Sequence, residues 1–197
     1  MIDSYIARDQ ALAGFGAQEV TPLVEKYETA SSGHAVGGFS LTDCPAPYFT
    51  SWATVAMSFF DTGYRKGGQK VVGTELVGCA SSEWKIFGRG LAFCAFYVAD
   101  GGPSRPGTVI SDAFRNHGQD VTTPHALLVP PFTWETELPA YEDDDIYVTW
   151  LQAVPITEAE AIFALARGGE ALEDLFEAEQ PDLYDLGRPS MTRVPAL

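Results

Sequence analysis

Three kinds of residue in this chain could do chemistry: the carboxylate run Glu142, Asp143, Asp144 and Asp145, a lone Glu75 set among apolar residues, and scattered histidines and cysteines. The carboxylate run lacks the alternating acids and the turn glycine of a calcium-binding loop. Mutual repulsion favours an exposed, solvated loop, and its functional alternative is an acidic finger presented to a basic partner. Glu75 allows two readings: an acid with a raised pKa, or a buried carboxylate paired with Arg or Lys, and Arg188 in the tail is either such a partner or a pin for the C-terminus. His34, His117 and His125 form no His-Glu-x-x-His motif and no Cys/His pair at zinc spacing, so no metal is implied and ordinary hydrogen-bonding histidines are expected. Cys44, Cys79 and Cys94 contain no Cys-x-x-Cys and cannot all pair within one chain, which points to reduced, buried thiols and a reducing compartment. A Cys–His nucleophile pair stays open on sequence alone, but the apolar context of Cys79 and Cys94 raises a thiol's pKa and leaves it inert. Ser58, between Met57 and Phe59, lacks the small neighbours of a nucleophile elbow. The glycine pairs at 37–38, 67–68 and 101–102 form neither a phosphate loop nor a dinucleotide fingerprint. They read as turn glycines, and no cofactor is implied.

The 197 residues fit one domain, expected to span 1–197, with 46% hydrophobic content to fill a core. A net charge of −15 repels phosphate backbones and anionic membranes, which argues against nucleic-acid and membrane partners. The same field would draw in a basic protein, although acidity also serves solubility alone. The N-terminal residues lack the basic and apolar regions of a signal peptide. No apolar run approaches the roughly 18–20 residues that span a bilayer, so a soluble cytoplasmic protein is expected.

The elements that would position these residues follow from periodicity. Val20, Leu23, Val24 and Tyr27 recur at helical spacing and predict an amphipathic helix over 18–27, with Pro22 in its first turn. Residues 33–47, rich in Gly, Ser and Pro, read as loop or irregular edge structure. Aromatic and β-branched residues over 48–60 predict one or two strands, residues 65–68 a hairpin-like turn, and residues 70–80 a strand with Glu75 as its one interior charge. Trp84, Phe87, Leu91, Cys94, Ala95 and Val98 recur every three or four residues, as in a helix packed on a sheet, although Gly88 and Gly90 each weaken it by about 1 kcal/mol. Short strands are expected at 108–111 and 126–129, and a longer one at 146–154 that ends at Pro155. Its residues are apolar on both faces, as in a strand well inside a sheet. Beyond it, Thr157 and Glu160 form a capping box for a helix, Gly168 and Gly169 stop that helix, and a second helix runs over 170–179 until Pro181.

Several of these segments together resemble a known family. Val-Pro-Ile-Thr-Glu-Ala-Glu over 154–160, Gly-Gly-Glu-Ala-Leu-Glu-Asp-Leu over 168–175 and Asp-Leu-Gly-Arg-Pro-Ser over 185–190 are similar to the suppressor of fused-like domain. Upstream, Thr-Val-Ala-Met-Ser over 54–58, Thr-Glu-Leu-Val over 74–77 and Leu-Leu-Val-Pro-Pro over 127–131 match its other recurring segments in order. The resemblance spans roughly residues 20–190. Ala56 stands where the pattern leads one to expect glycine, and the long second half of the animal Hedgehog-pathway regulator is missing, so that regulator's transcription-factor binding is not carried over. The chain resembles the compact bacterial members. The resemblance implies an α+β fold, a central mixed, mostly antiparallel sheet covered by helices with a C-terminal helical pair, and a protein-binding role, with toxin neutralisation by an immunity protein the usual proposal.

The leading expectation is therefore a non-enzymatic domain that binds another protein, such as a basic toxin domain, with Glu142, Asp143, Asp144 and Asp145 as the candidate contact. The alternative is an enzyme using Glu75 or a histidine as general acid or base, which requires a concave pocket where at least two titratable groups converge. A third reading is a purely structural or oligomerisation module.

Overall fold

The computed structural model describes residues 4–16, 23–28, 33–191 and 193–194. In chain order these form α1 (Ser4–Gly14), β1 (Leu23–Glu28), β2 (Ala35–Thr42), β3 (Phe49–Val55), a 3-10 turn (Met57–Phe59), β4 (Arg65–Lys66), β5 (Lys70–Ser81) and α2 (Phe87–Ala99). They continue with β6 (Val109–Ile110), β7 (His125–Val129), β8 (Tyr141–Glu142), β9 (Ile146–Ile156), α3 (Glu158–Arg167) and α4 (Gly169–Glu179).

The strands join in one sheet of order β1-β2-β3-β5-β9-β7-β6, with β4 added on β5 and β8 on β9. Its long central strands β5 and β9 pair in parallel from Val71 opposite Ile146 to Val77 opposite Gln152. The remaining pairings are antiparallel. Side chains alternate between the two faces of a strand. Leu76, Ala80, Leu151 and Ala153 therefore meet Phe87, Leu91, Cys94 and Val98 of α2, with Phe114 from the following loop. On the opposite face Val77, Cys79 and Trp150 pack with Ala7 and Ala11 of α1, while Val154 and Ile156 pack with Ala161, Leu172 and Phe176 of α3 and α4. Each large apolar side chain fully withdrawn from water contributes roughly 1.5–3 kcal/mol, so α2 is held by its buried stripe more than by its own propensity. This is the expected α+β arrangement, with helices on both faces of a mixed sheet and a helical pair at the C-terminal end.

The expected helix over 18–27 is overturned from Leu23 onward. That segment is the edge strand β1, paired to β2 from Leu23 opposite Ser40 to Glu28 opposite Ala35. Its earlier part, 18–22, lies outside the described residues. Pairing supplies every second backbone group with a partner, which outweighs a helical period met at only four positions. The loop expected over 33–47 is largely β2. Gly37 and Gly38 sit mid-strand because a Cβ at either would come within 3.2 Å of the β3 carbonyls of Val55 and Ala53, the close approach that marks glycine inside strands. Tyr141 and Glu142, expected in the acidic loop, pair with β9. Pro155 does not end β9, which continues to Ile156. The β5 pairing has already stopped at Gln152, so on that side a missing N–H breaks no ladder bond. Helix α1, unforeseen, is built on small residues: a Cβ at Gly14 would lie 2.4 Å from the Leu138 side chain.

Candidate functional site

Glu75 lies in β5 with no solvent-accessible surface. Its partner is neither Arg nor Lys, contrary to one of the two expectations. Its Oε2 accepts from Thr54 Oγ1 at 2.7 Å and the Met57 N–H at 3.3 Å, and its Oε1 accepts from the Ser58 N–H at 3.0 Å and Ser58 Oγ at 2.7 Å. Burial pushes the carboxyl above its ordinary value, opposed by these four hydrogen bonds. The arrangement ties the 3-10 turn to the sheet, and a group so enclosed does not touch a substrate in this conformation. Ala56, which precedes the turn, is left-handed at φ 77°, which explains the glycine that the family pattern prefers there.

The histidines are held at separate places. His125, buried at the start of β7, accepts the Asp112 N–H at Nδ1 (3.0 Å). Its Nε2 therefore carries the proton, donated to Glu158 Oε2 at 2.9 Å. Arg115 bridges Asp112 and Glu158. With both ring nitrogens engaged, no lone pair is left for a base. His117 Nε2 lies 3.0 Å from the Ala113 carbonyl and borders an open depression with Lys85 and Arg89. His34 faces Asp100 at 3.2 Å. Burial pushes Cys79 and Cys94 up to about 12 and raises Cys44, so all three are thiols near neutrality, as expected for inert buried cysteines. Among the described residues no three His, Cys, Asp or Glu side chains are grouped to hold a metal ion.

The four acidic residues prove unequal. Glu142 accepts from Lys66 Nζ and Lys70 Nζ, each at 2.8 Å, and these bonds hold its carboxyl down at about 2. Asp143 Oδ1 accepts the N–H groups of Asp145 and Ile146, both at 2.9 Å, which builds the turn into β9 and lowers its carboxyl below the usual range. Lys70 Nζ also donates to the Asp143 carbonyl at 2.6 Å. Asp144 and Asp145 are exposed and are the pair that faces solvent. The sequence marked the cluster and not this division of labour, because Lys66 and Lys70 are more than seventy positions away in sequence.

Two concave regions were not anticipated. Strand β7 ends opposite Gln152 and β8 begins opposite Val148, so residues 149–151 border a cleft of about 500 Å³ that includes Arg105, Glu137 and Trp150. Neither Glu75 nor a histidine lines it. A second groove, of about 600 Å³, runs between α4 and residues 130–132, with Phe132, Phe176 and Leu183 on its walls and Glu173, Glu177 and Asp182 at its rim. Its two parts were visible in the sequence, Pro130, Pro131 and Phe132 in a row and a helix with five acids and no base, but not their juxtaposition.

Comparison with known proteins gives the family context. The model of the suppressor of fused protein (SUFU) family matches residues 33–189. The immunity protein YqcF of Bacillus subtilis strain 168 is 31% identical over 181 residues, which cover 91% of this chain and 92% of that protein. Among solved structures, a SUFU homologue from Neisseria gonorrhoeae FA 1090 aligns with a TM-score of 0.65 at 16% identity over 95% of both chains. A chain of the Sufu–Fu complex gives 0.60 at 12% identity, covering 94% of this chain and 90% of that one. Drosophila Suppressor of Fused gives 0.57 at 13% identity, with 87% of this chain covering 46% of that one. Likeness at such identities is likeness of fold.

Proposed function

The chain belongs to the suppressor of fused protein family, and from that premise we propose that it is a non-enzymatic cytoplasmic immunity protein, acting as one domain that neutralises a cognate toxin by direct binding. The observation that carries this reading is 31% identity, along nearly the full length of both chains, to a protein named for immunity. The physical features agree with it. Glu75 is consumed by a structural turn, His125 by a hydrogen-bond network, and the cysteines by the core. A net charge of −15 favours encounter with a basic partner, and the exposed Asp144 and Asp145 are the proposed first contact. Among the described residues no helix is long and apolar enough to cross a membrane.

The test is protection. A toxin domain, sought first among the genes beside this one, is expressed in a sensitive host with and without the chain, and the two purified proteins are mixed. Restored growth together with a stoichiometric complex is expected. Growth that stays arrested, or protection by catalytic amounts of the chain with no complex, would remove the reading.

A further inference from the structure

The groove beside α4 is unusual because its charge works against its own helix. Glu170, Glu173, Asp174, Glu177 and Glu179 line a helix of eleven residues that contains no Lys or Arg. Glu170 with Asp174, and Glu173 with Glu177, are like charges four apart, each such pair destabilising a helix by about 0.2–0.5 kcal/mol. Glu177 and Glu179 sit at the C-terminal end, where the helix dipole favours cations. Arg193 approaches Glu179. Among the described residues neither Glu173, Glu177 nor Asp182 has an ion-pair partner, and the Asp182 carboxylate accepts the Tyr184 N–H at 3.1 Å. Glu173 is partly buried, and its carboxyl is raised by that burial and by Glu170, Asp174 and Glu177. Apart from Arg193 at Glu179, no cation among the described residues offsets these like charges, and a local rule left broken in this way points to a surface kept for something else.

The apolar part of the groove is prearranged. Phe132 is 51% exposed, yet its backbone is fixed: the N–H groups of Phe132 and Thr133 donate to Gln152 Oε1 at 3.1 and 3.3 Å, and Gln152 Nε2 donates to Thr133 Oγ1 at 2.7 Å. Pro130 and Pro131 stiffen the same lip. An aromatic ring held out at a concave apolar wall loses little entropy on binding and suits an anchor contact.

We propose that this groove is the docking site for a basic amphipathic segment of the partner protein. An apolar anchor side chain enters between Phe132 and Phe176, and flanking Lys or Arg side chains meet Glu173, Glu177 and Asp182. Charge selects this occupant: a second copy of a chain at −15 is repelled, whereas cations relieve the crowding on α4. The inference rests on the protein-binding reading above and names the surface and the chemistry that reading would use.

The test titrates the full chain with a capped ten-residue peptide of alternating Lys and Leu carrying a central Trp, beside a Lys/Gly peptide of equal charge. Amide NMR shifts locate each peptide, and shift titration gives the affinity of both, since the four Trp of the chain would mask a peptide tryptophan. Expected are shifts centred on residues 130–133 and 173–183, and at least tenfold weaker binding of the Lys/Gly peptide. Phe132→Ser and the pair Glu173→Gln, Glu177→Gln should each weaken the Lys/Leu peptide about tenfold, with circular dichroism unchanged. Shifts spread over the acidic surface or centred on Asp144, equal affinity for both peptides, or self-association abolished by Phe132→Ser would each overturn the proposal. Toxin binding that survives all three substitutions undiminished removes the groove and leaves immunity standing. Peptide docking in the groove without protection from any toxin does the reverse.

Discussion

Glu75 and Ala56 act on the same turn. With Ala56 left-handed, the successive N–H groups of Met57 and Ser58 converge on the Glu75 carboxylate, a concave backbone arrangement suited to anions. Holding a residue other than glycine in that conformation costs about 1–2 kcal/mol, while a glycine forfeits about 0.4–1 kcal/mol through the freer unfolded chain. Ala56→Gly is therefore expected to stabilise the protein by about 0.5–1 kcal/mol, read as a higher urea midpoint with unchanged slope. A lower midpoint would mean that the methyl group packs usefully. For Glu75 the folded value lies above the ordinary 4.5 because burial outweighs its four hydrogen bonds. The folded state then holds a proton that the unfolded state has released, so this residue's stabilising contribution is full below about 4.5 and is lost as pH rises through the raised folded value. The difference in unfolding free energy between wild type and Glu75→Gln should consequently move against wild type across that window, since the other titrations cancel. A difference that stays flat from pH 4.5 to 8 would show that the hydrogen bonds fully offset burial.

At the scale of elements, α2 shows how packing overrides propensity. An added Cβ at Gly90 would lie 2.1 Å from the Phe114 ring and 3.0 Å from the Ala113 carbonyl, and Phe114 is fully buried. Gly90→Ala gains about 1 kcal/mol of helix propensity but forces an overpacking cost of roughly 1–3 kcal/mol. A net loss of up to about 2 kcal/mol by thermal or urea unfolding is expected, partly restored by Phe114→Leu. Stabilisation by Gly90→Ala alone would show that the ring yields freely. The glycines that weakened the sequence reading of this helix are thus what lets it close on its neighbours, Gly90 on Phe114 and Gly88 on Trp52 of β3. The C-terminal elements were legible because their signals are local. Thr157 Oγ1 accepts the Glu160 N–H at 3.3 Å, and Glu160 Oε2 accepts the Thr157 N–H at 3.0 Å. Of the two roles the sequence offered Arg188, partner of Glu75 or pin for the C-terminus, the structure shows the second, through a buried bidentate pair with Glu160 at 2.7 Å per bond; only the choice of Glu160 was hidden. β1 and β2 were misread because their identity depends on β3 and on the glycine contacts between strands, which no local window contains. The groove beside α4 escaped for the same reason: Phe132 and Glu173 stand forty-one positions apart, and only the fold places them on one concave surface.

The whole molecule presents two acidic features on a field of −15, and they belong to different stages of binding. Asp144 and Asp145 are exposed at the tip of a turn whose own structure depends on Glu142 and Asp143. Solvated charges at such a tip act on encounter over about one Debye length, roughly 8 Å at physiological salt, and contribute little once a complex has formed. Contacts inside an apolar groove are made late and govern dissociation, where most affinity differences among related complexes arise. Replacing Asp144 and Asp145 with Asn should therefore slow association with a basic toxin domain about threefold at low salt, by stopped-flow fluorescence, and leave dissociation unchanged. The effect should vanish as ionic strength rises toward about 1 M, where screening shortens to roughly 3 Å. Glu142→Gln is the internal comparison: its carboxylate is already paired with Lys66 and Lys70, so its removal leaves both lysines without that anionic partner and loosens the turn. An association rate that is insensitive to Asp144 and Asp145 yet falls with salt would move the steering charge to the rim of α4, and would make one surface responsible for both encounter and retention.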